Sequence, residues 1–351
     1  MAGWTKYAAA VSLALAALLA PGFLEPPAAG YPDRLSAFGF FEGALADQRP
    51  APGVMPYALN TPLFTDYAEK LRFVKLPPGA SVAYNGAQVL DFPEGTAIIK
   101  TFYYPVDARK PEKGRRLMET RLLIREAAGW KALAYHWTDD QQDAVLELAG
   151  DEKEVAWTDA AGKKQRVLYA FPNVNQCKGC HSWDGAMQPI GPSARQLNGS
   201  FQYPEGAENQ LAHWQAAGML SGLPADPARI PRLAVWNDPA TGSLDDRARA
   251  WLEINCAHCH NPHGPASTSG FFLDIHQTDR TVLGVYKHPV AAGRGAGEGT
   301  WDIEPGNPDK SILYYRMVST DPGIMMPELG RRLVHAEGAA LIREWIAQMP
   351  R

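Results

Sequence analysis

The chain has 351 residues, of which 46% are hydrophobic and 21% charged, with a formal net charge of -4. These values suit a folded chain with material for two or three compact units, and they exclude one too polar to build a core. No basic block marks a nucleic-acid partner or an anionic membrane surface.

At the N-terminus, Lys6 precedes an Ala/Leu-rich run from Ala8 to Ala20, and small residues follow around Ala28 to Gly30. This layout predicts a cleaved secretory signal peptide over residues 1-30. Crossing a bilayer takes about 20 apolar residues, and Pro21 stops the run short of that. The mature protein is therefore expected in the periplasm, with no membrane span after signal removal.

Residues 31-171 read as a β-rich, sandwich-like domain, because short apolar runs alternate with polar residues and turn signals. Ala80 to Tyr84 and Ala87 to Phe92 flank Asn85-Gly86, a pair suited to a tight hairpin. Further strands are expected at Thr96 to Tyr104, Glu119 to Arg125, Trp130 to Trp137, Ala144 to Leu148 and Arg166 to Phe171. Residues 172-242 hold the first Cys pair, a possible helix from about Ala207 to Ala217, and a Pro/Asp/Gly-rich linker. From 243 to 351 the pattern is helix, Cys pair, long loop, methionine and helix. Ser243 and Asp246 form a capping pair, and Leu244, Ala248, Trp251, Leu252 and Asn255 share one helical face. Leu341, Ile342, Trp345, Ile346 and Met349 make a second apolar stripe. The expected architecture is thus multidomain, a mainly-β domain followed by a mainly-α region that holds both Cys pairs.

Four cysteines in an exported chain would ordinarily suggest two disulfides. Here they form two Cys-x-x-Cys pairs, Cys177/Cys180 and Cys256/Cys259, each followed at once by a histidine, His181 and His260. Covalent haem c attachment needs this set: two thiols for two vinyl groups, then an imidazole for the iron. A thioredoxin-like pair needs no such histidine, and a four-thiolate zinc site would leave both histidines incidental. With 9 histidines in the chain, two chance placements of this kind are rare. The reading is two covalently bound haem c groups with His181 and His260 as proximal iron ligands.

The distal ligands separate electron transfer from small-molecule chemistry. Met326, in the loop before the last helix and directly ahead of Pro327, is the expected distal ligand of the second haem, a placement resembling class I cytochromes c. Met325 is its rival. For the first haem Met219, Met187 and His213 are the candidates, with a five-coordinate site as the alternative. Arg316 could pair with a haem propionate or form a surface salt bridge. His258, His263, His276 and His288 read as exposed loop histidines.

The segments Tyr57-Ala-Leu-Asn-Thr-Pro-Leu-Phe-Thr-Asp-Tyr67, Asp91-Phe-Pro-Glu-Gly-Thr96, Lys100-Thr-Phe102, Asn175 to His181, Ile190-Gly-Pro192, Arg195 to Asn198, Asn209-Gln-Leu211, Asn255 to Pro262 and Met326 to Gly330 resemble a family of bacterial dihaem c-type cytochromes. The family is mostly uncharacterised and is often encoded beside a parallel β-helix protein. The resemblance spans nearly the whole mature chain. It implies an exported redox protein that transfers electrons between redox partners, with a β-helix protein as a candidate partner, and it carries no substrate. The alternatives are a peroxidase-like dihaem redox enzyme with an open or labile first haem, or an electron-accepting subunit of a partner enzyme. No catalytic acid or base is singled out.

Overall fold

Alternation of apolar and polar side chains over runs such as Ala97-Ile-Ile-Lys-Thr-Phe-Tyr-Tyr104 favours extended chain with two distinct faces. In the computed structural model, which describes residues 30–351, such runs build one six-stranded antiparallel sheet. Its strands are β1 (Val54–Pro56), β2 (Glu69–Lys75), β3 (Ala97–Pro105), β4 (Arg115–Glu126), β5 (Gly129–Trp137) and β6 (Ala144–Leu146), adjacent in that order. The residues that carry the signal-peptide reading lie outside those described. Strands β7 (Asp151–Thr158) and β8 (Lys164–Phe171) form a separate two-stranded ribbon.

Pairing register fixes which residues share a face. One face presents Phe73, Ile99, Thr101, Leu122, Leu133, Tyr135 and Trp137, all buried. There the Thr101 hydroxyl donates to Gln48 Oε1 at 2.5 Å and lies 2.7 Å from the Thr120 hydroxyl, to which Trp137 Nε1 also donates. The opposite face is apolar at both ends. Val74 and Ile98 pack with Tyr57, Leu197 and Trp214 at one end, and Phe102 and Tyr104 pack with Val155, Trp157 and Tyr169 of the ribbon at the other. Between them runs a band of charged side chains facing the first Cys pair.

Among the described residues six short α-helices follow: α1 (Val174–His181), α2 (Ala194–Leu197), α3 (Gln210–Ala216), α4 (Leu244–Leu252), α5 (Ile312–Val318) and α6 (Ala336–Gln348). Ser243 and Asp246 make the expected reciprocal cap on α4. Both predicted stripes meet, with Leu244, Ala248, Trp251 and Leu252 packed in one core with Leu341, Ile342, Trp345 and Ile346.

The expectation of a sandwich-like domain followed by a mainly-α cytochrome c-like region is corrected. Helix makes up 25% of the structure, and the longest described helix, α6, has 13 residues. The physical reason is local. Pro289, Pro305, Pro308, Pro322 and Pro327, with the glycines of 293–299, interrupt the backbone ladder every few residues between the second Cys pair and α6. The sheet is not sandwiched by a second sheet either, being covered by the ribbon, short helices and loops. The Asn85-Gly86 hairpin does not form. Asn85 Oδ1 instead accepts from the amides of Ala87 and Gln88, and Val82–Ala83 pairs in parallel with Leu220–Ser221.

Residues Asp33–Arg351 form one compact unit, laced by the strap between β1 and β2. In it Asp66 and Tyr67 hold positive φ values of 47° and 61°, a region that L side chains occupy only when held there. The Asp66 carboxylate accepts from the backbone amides of Arg332 and Leu333, both at 2.7 Å, and its carbonyl accepts from the Tyr104 hydroxyl at 2.8 Å. Replacing Asp66 with alanine leaves two part-buried amides without their acceptor. The expected loss is about 1–3 kcal/mol of stability, measured by urea unfolding; a variant as stable as the parent would show that the contact does not anchor this loop.

Candidate functional site

The first Cys pair lies on a helix built to end at its histidine. Asn173 caps α1 through its side chain, which accepts from the Gln176 amide, while Gln176 Oε1 accepts from the Asn173 amide, both at 2.9 Å. The helix then carries Cys177, Cys180 and His181, and the tight ribbon Ser182–Trp183 with Ala186–Met187 returns the chain beneath it. His181 Nδ1 there meets the Gln188 carbonyl at 2.7 Å.

The second pair is reached differently. Helix α4 widens into a π-type turn over Glu253–Ala257, and the amides of Cys259 and His260 close onto the Cys256 carbonyl at 3.1 and 2.9 Å. His260 Nδ1 meets the Phe271 carbonyl at 3.1 Å. Both motif histidines thus commit Nδ1 to a backbone carbonyl, and among the described residues neither Nε2 has a hydrogen-bond partner. Burial pushes both imidazoles down to about 4, so each is neutral. A neutral ring with one nitrogen anchored and the other open is the state a metal-ligating histidine needs.

The two motifs, 75 residues apart in the sequence, meet. The Sγ atoms of Cys180 and Cys259 and a ring nitrogen of His258 lie within 4.8 Å of one another. Cys259 Sγ also lies 3.5 Å from the Gly179 carbonyl. The nearby Cys259 thiol and the His258 imidazole push the Cys180 thiol down, despite burial. All four cysteines are free thiols. His258 is therefore half-buried at the junction of the motifs, whereas its sequence position suggested an exposed loop histidine.

A cavity of about 600 Å³ opens beside this junction, within the size range of cofactor sites. Cys177, Cys180 and His181 line it, together with His258, Met325, Met326 and His335. Its floor is the charged face of the sheet. Arg72, Lys100 and Arg121 are in direct register across β2, β3 and β4, and all three line the cavity. Arg121 is paired with the fully buried Glu119 at 2.5 Å, and Glu119 also accepts from the Tyr169 hydroxyl at 2.6 Å. The guanidinium of Arg121 and the amine of Lys100 stand 4.3 and 5.0 Å from the centre of the Phe102 ring. This cation row was not singled out from the sequence. The signal for it was a lysine and two arginines inside otherwise apolar strand runs.

The predicted distal residues are distributed unevenly. Met326 and Met325 reach the cavity, on a loop whose charges act on the second motif, Arg331 on Cys256 and Glu328 on Cys259, while Arg316 of α5 acts on His260. Arg316 donates from Nε to the Ile324 carbonyl and approaches Glu328 at 4.0 Å. Of the first-haem candidates, Met187 sits on the ribbon paired with Ser182, and Met219 packs against the Trp214 core. His213 stacks on Tyr203 and binds Glu208. None of these three lines the cavity. His263 binds Asp184, His276 the Ala87 carbonyl and His288 the Thr300 carbonyl.

The donor set fits covalent haem at the first motif, which has two thiols, one neutral anchored imidazole and an adjoining cavity; the second motif offers the same thiols and imidazole, but Cys256, Cys259 and His260 do not line that cavity, whose wall carries Met326, expected on the second haem, beside His181. The group Cys180, His258 and Cys259 has in addition the nitrogen and sulfur composition that suits a single zinc ion. No helix among the described residues is long and apolar enough to cross a membrane.

His335 closes the cavity by stacking on Phe64 at 4.3 Å while Nδ1 accepts from Trp251 Nε1 at 3.1 Å. That bond requires the neutral ring, and burial pushes its pKa down to about 4. The unfolded chain, with histidine near 6.5, then binds the extra proton between about pH 6.5 and 4, so this contribution to stability is full above the window and lost on acidification, by at most about 1.4 kcal/mol per pH unit. In a His335→Gln variant the fall in urea-measured stability from neutral pH into that window is expected to be smaller than in the parent; equal falls would contradict the assignment. Comparison of the chain with family models, with characterised proteins and with solved structures returns no match.

Proposed function

We propose that this chain is a periplasmic dihaem c-type cytochrome that transfers electrons between redox protein partners. The observation that carries this reading is the paired construction of the two motifs, which offer four free thiols and two imidazoles with open Nε2 atoms, and which abut at Cys180 and Cys259. Haem bound at these motifs supplies a one-electron Fe(III)/Fe(II) couple whose potential follows its ligands and surroundings.

Each residue has a distinct task in this reading. Cys177, Cys180, Cys256 and Cys259 provide the attachment thiols, and His181 and His260 the proximal nitrogens. The carbonyls of Gln188 and Phe271 hold the ring orientation and raise the basicity of the open nitrogen. Met326 offers a thioether from a loop tied down by Arg331, which donates to the Met326 carbonyl at 2.7 Å. Because Cys180 and Cys259 adjoin, the two attachment points are neighbours, which suits transfer between the sites without movement of the chain. A β-helix protein is a candidate partner.

A second reading, a redox enzyme of peroxidase type, draws on one observation. The cavity beside His181 has room for a small molecule, and Met187, Met219 and His213 all lie away from it. Spectra of the purified exported protein separate the two. Electron transfer predicts two one-electron waves in a potentiometric titration, with low-spin haem unchanged by cyanide or peroxide in either redox state. A high-spin haem that consumes peroxide would overturn it in favour of the enzyme. Replacing Met326 with alanine is expected to abolish the weak red absorption band that methionine ligation gives ferric haem; a retained band would move the ligand to Met325 or another methionine.

A further inference from the structure

Like charges placed directly opposite one another on neighbouring strands repel, and a sheet interior is a costly place for them. Arg72, Lys100 and Arg121 break that rule on three adjacent strands at once. Arg121 is balanced by Glu119. Arg72 is not balanced, although it is only 9% exposed, and among the described residues neither its side chain nor that of Lys100 is in a salt bridge or hydrogen bond. The main opposing charge acting on Lys100 is Glu119, which is already engaged by Arg121 and Tyr169. Cys180 also acts on Lys100 but is shared with Cys259 and His258, and the other acidic groups on the cavity wall are committed elsewhere or stand at its rim, Asp66 on the Arg332 and Leu333 amides and Glu328 largely in solvent beside Arg316.

We propose that the row Arg72, Lys100 and Arg121 is a carboxylate-binding site on the cavity floor, and that its carboxylates are those of the haem attached at Cys177 and Cys180. This assignment of the source rests on the dihaem reading; the anion site itself does not. Three observations converge on it. The cations are in register, so their charges add at one place. They line the same cavity as Cys177, Cys180 and His181. Their apolar surroundings, Ile98 on one side and Phe102 on the other, keep water from substituting fully for an anion. Burial and the neighbouring guanidinium groups push the Lys100 amine down to about 7, which expresses the same missing partner.

Lys100→Met and Lys100→Arg variants of the full-length holoprotein test the proposal. The readouts are the midpoint potential of each haem and the thermal midpoint with and without sodium formate as a free carboxylate. Removing a cation beside one haem stabilises its ferric form. Lys100→Met is therefore expected to lower one midpoint and leave the other in place, with Lys100→Arg restoring it and formate having no effect on the parent. If formate instead stabilises the parent and that stabilisation is lost in Lys100→Met, the site stands and its occupant is an exchangeable carboxylate. If potentials and formate response are the same in parent and Lys100→Met, the proposal is overturned. Should the purified protein contain no haem, the dihaem reading fails by itself, and the formate arm still decides the anion site. Arg72→Met provides the same comparison if Lys100→Met does not accumulate.

Discussion

One strap of chain, residues 58–67, determines where everything functional ends up. The Ala58 amide donates to Gln210, the Thr61 amide to Gln196, and the Thr61 hydroxyl to the Ala234 carbonyl. The Phe64 amide donates to Asn255, the residue immediately before Cys256, and Asp66 holds the backbone at Arg332 and Leu333. Six hydrogen bonds therefore register the sheet against the segment after the first motif, the entrance to the second motif and the end of the methionine loop. Each is ordinary in strength, on the order of 1 kcal/mol net, but the partners come from stretches of sequence separated by more than a hundred residues.

The consequence is a shared chemical neighbourhood rather than two independent ones. Cys180 belongs to a capped helix and Cys259 to the turn after a widened helix, yet their sulfurs meet, with a ring nitrogen of His258 beside them. Each motif histidine is oriented by a carbonyl a short distance downstream, seven residues on for His181 and eleven for His260. Two local devices of different construction thus deliver the same product, a neutral imidazole with one nitrogen open, and the strap sets them side by side. The cation row completes the arrangement from the sheet, which serves as a wall of the site as well as a scaffold.

Much of the site was legible in the sequence because its signals are local. The spacing in Cys177-Lys-Gly-Cys-His181 and Cys256-Ala-His-Cys-His260 needs no tertiary knowledge, and the same holds for the Ser243 cap and the stripes on α4 and α6. What was not legible depends on register and on competing bonds. The alignment of Arg72, Lys100 and Arg121 follows from strand pairing that no single run discloses. Asn85-Gly86 carried a hairpin signal, but the Asn85 side chain satisfied the local amides and the flanking strand paired with residues more than a hundred positions away. The helical stripes at the two ends of 243–351 suggested a mainly helical region, and the prolines and glycines between them prevented it. His258 looked like a bystander because its environment is supplied by the other motif.

The central claim is that the two Cys-x-x-Cys-His turns exist to carry haem. The intact mass of the exported protein after denaturation tests this most directly, because only covalently attached groups remain. The account predicts a mass increase of two haem groups per chain, reduced to one when both cysteines of either motif are replaced by alanine. Four unmodified thiols, with a zinc ion released on denaturation, would contradict it and would assign Cys180, His258 and Cys259 to a metal site instead.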